Sequence, residues 1–438
     1  MAAPSTAWRN WAGTESAVAT AVSRPRSLDE LAATVAGAAH EGKTVRARGS
    51  GHSFTAVGAA DDVAVDLAGW TGVTAADLET GLVTVRAGTT LRALNAELDR
   101  LDLAMTNLGD IDAQTIAGAI ATGTHGTGAR FGGIATQVAA LELVLADGSV
   151  VTCSADERPD LFAAARVGLG AFGVVSTVTL RTEPAFVLAA RERPEPLDEV
   201  LAALDENCAD NDHFEFYWFP YGRAALTKRN NRLPAGTPPE PLSPARRFVE
   251  YRLMENTVFG AVCRLGRAVP RLVPTLNAVS SSALSARAYS DVSHRVFVTN
   301  RDVRFVESEY AIPRAALGEV LAELRERVPR LADPVMFPVE VRVAAPDDIW
   351  LSTAYERETA YLAVHQFVGM PYREYFALFE SVAGAVGGRP HWGKMHSLDA
   401  TALRERYPRF DEATALRTKL DPAGTFGNPY VNRVLGRP

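Results

Sequence analysis

Apolar positions along the first 185 residues change period several times. Ser27-Leu28-Asp29-Glu30 has the form of a capping box, and Leu31, Val35 and Ala38 follow at helical spacing, which predicts a helix to about His40. Strands are expected at 44–46 and at 62–67, the second with strict alternation. Residues 81–88 read as a strand bounded by turn residues, and Leu91, Leu94, Leu98 and Leu101 then mark a helix over 90–101. A helical stretch at 160–166 precedes a strand at 174–180. Beyond Pro184 the pattern shifts towards strands, at 213–219, 303–310, 337–343 and 361–367. The fold class implied is α+β.

Composition narrows the function. A chain of 438 residues is long enough for two domains, and 47% hydrophobic with 22% charged residues fits an ordinary globular protein. A net charge of -7 argues against a nucleic-acid partner. Cys153, Cys208 and Cys263 are too few and too scattered for a disulfide framework or a metal cluster, so no metal is expected. The first residues lack the basic-then-apolar order of a secretory signal, and no apolar run approaches the roughly 18 residues of a membrane span. A cytoplasmic location is expected.

Three glycine-rich stretches interrupt the early elements. Arg46-Ala-Arg-Gly-Ser-Gly-His-Ser53 joins strand to strand, and its amides, with Arg48, Gly49, Ser50, Gly51 and Ser53, can form a nest for a diphosphate. His52 at its tip is either a histidine bonded to nearby backbone or a nucleophile that attaches a cofactor covalently. The second stretch, 117–128, includes Gly118, Gly123, Thr124, His125, Gly126, Thr127 and Gly128, small enough for something large to lie against it. The third, Gly168-Leu-Gly-Ala-Phe-Gly173, matches the dinucleotide fingerprint in letters only. A Rossmann unit needs strand, loop, helix; here a helix precedes and a strand, opening at Val174 and Val175, follows. A nicotinamide Rossmann domain is therefore rejected, although the glycines and the Val174 backbone can still approach an adenine.

Charged positions add chemistry further on. Glu340 and Arg342 stand two apart on a strand, so they share a face and can hold a polyhydroxylated molecule; the alternative is a surface ion pair. His365, on the next strand, is a further candidate catalytic residue, with a core or surface histidine as the alternative. In Gly388-Arg-Pro-His-Trp-Gly-Lys-Met-His396, which carries His391, Trp392 should anchor the turn and fix Lys394, where a cation can stabilise developing negative charge. A proline-rich stretch at 233–244 leads into an arginine-rich helical region at 246–271, read as a solvated face. The aromatic-bearing loop at 420–428 can pack back on the first domain.

In combination, R-A-R-G-S-G-H-S at 46–53, A-T-G-T-H-G-T-G at 121–128, G-L-G-A-F-G-V-V at 168–175, E-V-R at 340–342 and H-W-G-K at 391–394 resemble the vanillyl-alcohol oxidase and p-cresol methylhydroxylase superfamily of flavoproteins, in its aldonolactone branch. The resemblance implies a two-part PCMH-type FAD-binding domain, residues 1–185 with a returning tail at 401–438, and a substrate or cap domain at 186–400 with an antiparallel sheet flanked by helices. It implies FAD bonded covalently through His52. It implies that Glu340 holds the substrate hydroxyls and accepts a proton, that Arg342 orients the substrate, and that Lys394 faces the flavin. Gly109 matches a position beside the flavin where glycine goes with reactivity towards O2. The expected substrate is a sugar lactone oxidised at C2, with O2 as acceptor. An alditol oxidase is the rival, but the threonine of its His-x-Thr is absent from His365-Gln366-Phe367; another electron acceptor, or flavin binding without turnover, are the remaining readings.

Overall fold

The computed structural model describes residues 6–299 and 301–438. Residues 1–5, part of the segment read above for a secretory signal, lie outside it.

The first part of the chain builds two sheets. Val63–Asp66 lies between Ala21–Ser23 and Val45–Arg48 in a parallel three-stranded sheet, and the helix Leu28–His40, capped by the Ser27 side chain, joins the outer two strands in sequence. An antiparallel five-stranded sheet follows in the order 150–154, 138–144, 174–181, 82–86, 73–77. Leu91, Leu94 and Leu98 of the helix Leu91–Arg100 are buried against it, as their spacing predicts. The chain's last helix, Pro429–Leu435, adds Tyr430, Val431 and Val434 to the same core.

The middle of the chain forms an eight-stranded antiparallel sheet, with strand order 287–292, 187–196, 224–232, 213–218, 339–344, 359–367, 305–313, 389–390. Its strands alternate strictly. Phe214, Phe216, Trp218, Val306, Val339, Val341, Leu362 and Val364 fall on one face, and the helices Leu317–Arg327 and Arg373–Ala385 cover them with Leu321, Leu324, Tyr375 and Phe379. The intervening residues, among them Glu215, Tyr217, Glu307, Glu309, Glu340, Arg342 and His365, are also buried, so this face too is covered. What covers it is the glycine-rich part of the chain.

One region departs from expectation. Phe248–Val258 winds with five-residue hydrogen-bond spacing before passing into the helix Phe259–Ala268. Phe248, Val249, Leu253, Met254 and Leu265 are exposed there, so the face is not the purely polar one that its arginines suggest.

Candidate active site

Two cavities meet at the tip of the first glycine loop. The larger, about 1070 Å³, is walled mainly by backbone and small side chains from 46–53, 114–122 and 165–175. Glycine is required at its narrowest points: a Cβ on Gly49 would lie 2.8 Å from the Thr115 hydroxyl, and Gly173 holds φ at +146°. Arg46 joins the segments, since its buried guanidinium donates to the carbonyls of Val57, Leu169, Gly170 and Phe426. Burial without a carboxylate partner pulls it down to about 10.

Arg48 is different. Its Nε and Nη2 are buried but have no hydrogen-bond partner, and the residue lines the cleft. An unpaired buried donor costs roughly 1–3 kcal/mol, more when charged. Arg48, beside the amides of the 49–53 loop, therefore fits an anionic ligand group such as a diphosphate.

The second cavity, about 770 Å³, shares His52, Ser53, Gln114 and Thr122 with the first and lies on the polar face of the large sheet. Strand register assembles that face. Tyr217 stands opposite Glu340, and Glu215 opposite Arg342, while on the far side Glu307 stands opposite His365. Arg342 Nε donates to Glu215 at 2.8 Å, and its Nη2 meets Glu340 and, at 3.6 Å, Asp110. The Tyr217 hydroxyl donates to Glu340 at 3.0 Å, and Arg301 pairs with Asp110. Burial works to raise all three carboxyls. In Asp110 the arginines outweigh it, and in Glu215 Arg342 and Lys228 do, so both are lowered. In Glu340 burial, joined by the charges of Asp110 and Glu215, outweighs Arg342 and Arg301 and raises the carboxyl.

Lys394 sits across the cavity. Its turn is held by Trp392, which stacks on Tyr407 and donates its indole N–H to Leu351 at 2.7 Å, the anchoring expected of that tryptophan. Its Nζ is 2.5 Å from Glu307 and 3.7 Å from Glu309. Burial would lower the lysine, but the two carboxylates prevail and raise it. His391 is pulled to about 4 by burial; its Nδ1 accepts from the Gly393 N–H, and its Nε2 faces the Gly123 carbonyl. His125, Glu309 and His391 come close enough to suggest a cation site. The lone pair of His391 is already occupied and His125 Nδ1 faces the Gly126 carbonyl, so these groups form a hydrogen-bonded wall.

Most of the residues singled out by sequence come together here. Arg48, Gly49, Ser50, Gly51, His52, Ser53, Gly118, Gly168, Gly173 and Val175 line the first cavity; Gly109, Thr124, His125, Glu340, Arg342, His365, His391 and Lys394 line the second. His52 lines both, with its ring stacked on Trp11, and burial with nearby Lys394 lowers it, so that it is neutral at pH 7. Glu340 and Arg342 are a buried pair and not the surface ion pair weighed above.

Five residues lie outside both cavities. Gly123 closes the helix Ile116–Thr122 with φ +80°, and Val174 belongs to the core under the parallel sheet. Gly126, Thr127 and Gly128 form a joint between the parts of the chain: Gly128 N–H donates to Val343 at 2.9 Å, Thr127 donates to Phe214, and a Cβ on Gly126 would meet Leu108 O at 2.2 Å. Sequence reasoning missed Asp110, Glu215, Tyr217, Arg301, Glu307 and Glu309. A signal existed for the last two, since Glu307-Ser308-Glu309 has the same spacing on a strand as Glu340 and Arg342.

This geometry can be set beside known proteins. Residues 178–434, more than half of the chain, match the D-arabinono-1,4-lactone oxidase family, and residues 19–154 match a FAD-binding domain. The chain belongs to the D-arabinono-1,4-lactone oxidase family. It is similar to L-gulono-1,4-lactone dehydrogenase of Mycobacterium tuberculosis, at 45% identity over 98% of this chain and 99% of that one. It is also similar to L-gulonolactone oxidase of Mus musculus, at 34% over 98% of each, and to alditol oxidase of a Streptomyces species, at 33% over 98% and 99%. Among solved structures, cholesterol oxidase from B. sterolicum shares the fold with a TM-score of 0.80 at 18% identity, covering 98% of this chain and 97% of that one. The protein is a FAD-dependent oxidoreductase acting on CH–OH donors. The unpaired donors of Arg48 and the glycine cradle suit the diphosphate of that cofactor. Among the described residues, no helix is long and apolar enough to cross a membrane.

Proposed function

We propose that the protein oxidises a sugar-derived aldonolactone of the L-gulono-1,4-lactone type at C2, with FAD attached through His52 and O2 as the acceptor, giving H2O2. The observation that carries this reading is the second cavity, which adjoins the cofactor cleft at His52 and is lined by Glu340, Arg342, His365 and Lys394. FAD, when bound, supplies the acceptor for a hydride.

The residues of the chain do the rest. Arg48 and the 49–53 amides hold the diphosphate, and neutral His52 has a lone pair for the covalent bond. Glu340, raised by burial, and Arg342, held at its other edge by Glu215, present an acceptor and a donor to adjacent oxygens of a lactone. Lys394, kept charged by Glu307 and Glu309, stabilises negative charge on the cofactor side. The proposal keeps the domain division expected from sequence, 1–185 with 401–438 against 186–400, with substrate meeting cofactor at the seam.

The polyol reading is disfavoured by Phe367. It stands where the threonine of an alditol oxidase would offer a hydroxyl, and its ring is packed into a core with Phe305 and Phe337. A different acceptor is the stronger second reading, because the 45% identical relative is named a dehydrogenase. Anaerobic addition of L-gulono-1,4-lactone, and separately of xylitol, tests both. Bleaching of the flavin by the lactone alone, reversed by air, supports the proposal; bleaching by xylitol alone sinks the lactone reading, and bleaching that air does not reverse sinks the oxidase.

A further inference from the structure

Two histidine–glutamate pairs flank Lys394. Glu307 and Glu309 stand two apart on one strand, so both reach the lysine from the same face. His125 Nε2 lies 2.8 Å from Glu309 Oε1, and His365 Nε2 lies 3.4 Å from Glu307 Oε1. Each ring sets its other nitrogen against a backbone carbonyl: His125 Nδ1 is 2.9 Å from Gly126 O, and His365 Nδ1 is 3.2 Å from Pro338 O. A carbonyl oxygen only accepts, so Nδ1 carries a proton in both rings.

The pairs differ in what lies at Nε2. At 2.8 Å His125 and Glu309 share a proton. At 3.4 Å the contact between His365 and Glu307 is too long for a strong hydrogen bond, and Glu307 Oε1 is instead 2.5 Å from Lys394. His365 thus keeps a lone pair on Nε2, in the wall of the substrate cavity. Two carboxylates, one ammonium and one shared proton leave this group neutral. The neighbouring cluster is also balanced, with Asp110, Glu215 and Glu340 set against Arg301, Arg342 and Lys228.

We propose that His365, backed by Glu307 and Lys394, accepts the proton of the substrate hydroxyl, so that the group gains one positive charge as the cofactor side gains one negative. This rests on the lactone reading of the same cavity. Oxidation of the carbinol carbon sends a hydride, with both electrons, to FAD. The hydroxyl O–H bond breaks, its electron pair forms the new C=O bond, and its proton forms an N–H bond at His365 Nε2. Glu307, beside the ring, stabilises the resulting imidazolium. Glu340, engaged by Tyr217 and Arg342, keeps the binding role and yields the proton-accepting role expected of it from sequence. The rings of Phe305 and Phe337 also pack against His365, and Glu340 lines the same cavity from the neighbouring strand.

Nitrogen NMR on holoenzyme labelled at histidine tests this, with His365→Gln identifying the signals. At neutral pH the resting enzyme should show His365 neutral with the proton on Nδ1, and anaerobic bleaching by lactone should make it doubly protonated. A doubly protonated His365 at rest, or a neutral one after bleaching, overturns the proposal. In rapid mixing, His365→Gln should slow bleaching by about 100-fold, with lactone Kd little changed. Bleaching of His365→Gln at the parent's rate also overturns the proposal. A parent that no lactone bleaches would instead refute the function proposed above, whereas a doubly protonated His365 at rest, read without substrate, would overturn this inference alone.

Discussion

Replacing Arg48 by methionine, in a protein that also carries His52→Ala so that FAD binding is reversible, removes the two buried N–H groups that lack a partner inside the protein. A hydrogen bond to a charged group contributes about 1.5–3 kcal/mol. The cleft is open to water along part of its length, so the low end applies, and two such bonds sum to about 3 kcal/mol, or about 100-fold in Kd. Methionine keeps the length and packing of the arginine stem. The apoprotein should therefore melt at the parent's temperature or slightly above it, since a partly buried charge without a partner has been removed. The assay is quenching of flavin fluorescence on titration of the apoprotein with FAD and with riboflavin, which lacks phosphate. FAD should weaken by about 100-fold and riboflavin by less than about twofold. A loss of FAD affinity below about threefold, or an equal loss for riboflavin, would show that Arg48 does not hold the diphosphate.

His52→Ala should release FAD on acid precipitation, whereas the parent's flavin fluorescence should stay with the polypeptide on a denaturing gel; free flavin from the parent would rule out the bond. Arg46→Met removes donors to four carbonyls from three separate segments, and should cost about 3–5 kcal/mol in urea unfolding of the apoprotein. Gly109→Ala would place a methyl 3.1 Å from His125 O, pressing on the wall that carries Glu309. It should slow reoxidation by air, and a parent-like rate would remove Gly109 as an oxygen gate; anaerobic bleaching measured alongside separates this from damage to the site. Asp347 is pushed by burial to about 6 from 3.8, despite hydrogen bonds from Ser352 and Ile349. The folded state holds its proton more tightly than the unfolded chain, so its contribution is complete below about pH 4 and is lost as pH rises through about 6. Asp347→Asn should abolish this component, about 3 kcal/mol, and a parent and variant with parallel stability–pH curves would refute it.

Local pattern carried much of this architecture because its causes are local. Alternation in Val339–Ala344 and Thr359–Phe367 separates an apolar face from a polar one whatever the strands pair with, and the pleat then places Glu340 with Arg342. The glycine stretches at 49–53 and 168–175 were legible as cavity walls for a similar reason, since runs of small residues leave room beside the backbone. The same signal failed at Gly126, Thr127 and Gly128, where the close neighbour is the protein's own backbone at Leu108 and Val343. A stretch of small residues cannot reveal which of the two lies against it.

Tertiary pairing decided the chemistry of the site. Strand register set Glu215 against Arg342 and His365 against Glu307, pairings between positions far apart in the chain. Burial works to raise both Glu307 and Glu340, but the neighbouring Lys394 outweighs it and lowers Glu307, whereas in Glu340 burial prevails. The closing segment acts on the first glycine loop in the same way: Phe426 accepts from Arg46, and Asn428 donates to Ala56 and Ala59. Residue type and spacing determined which groups could do chemistry here. Their charge states and partners came only from long-range packing, because a side chain's electrostatic environment is set by neighbours that the local sequence does not contain.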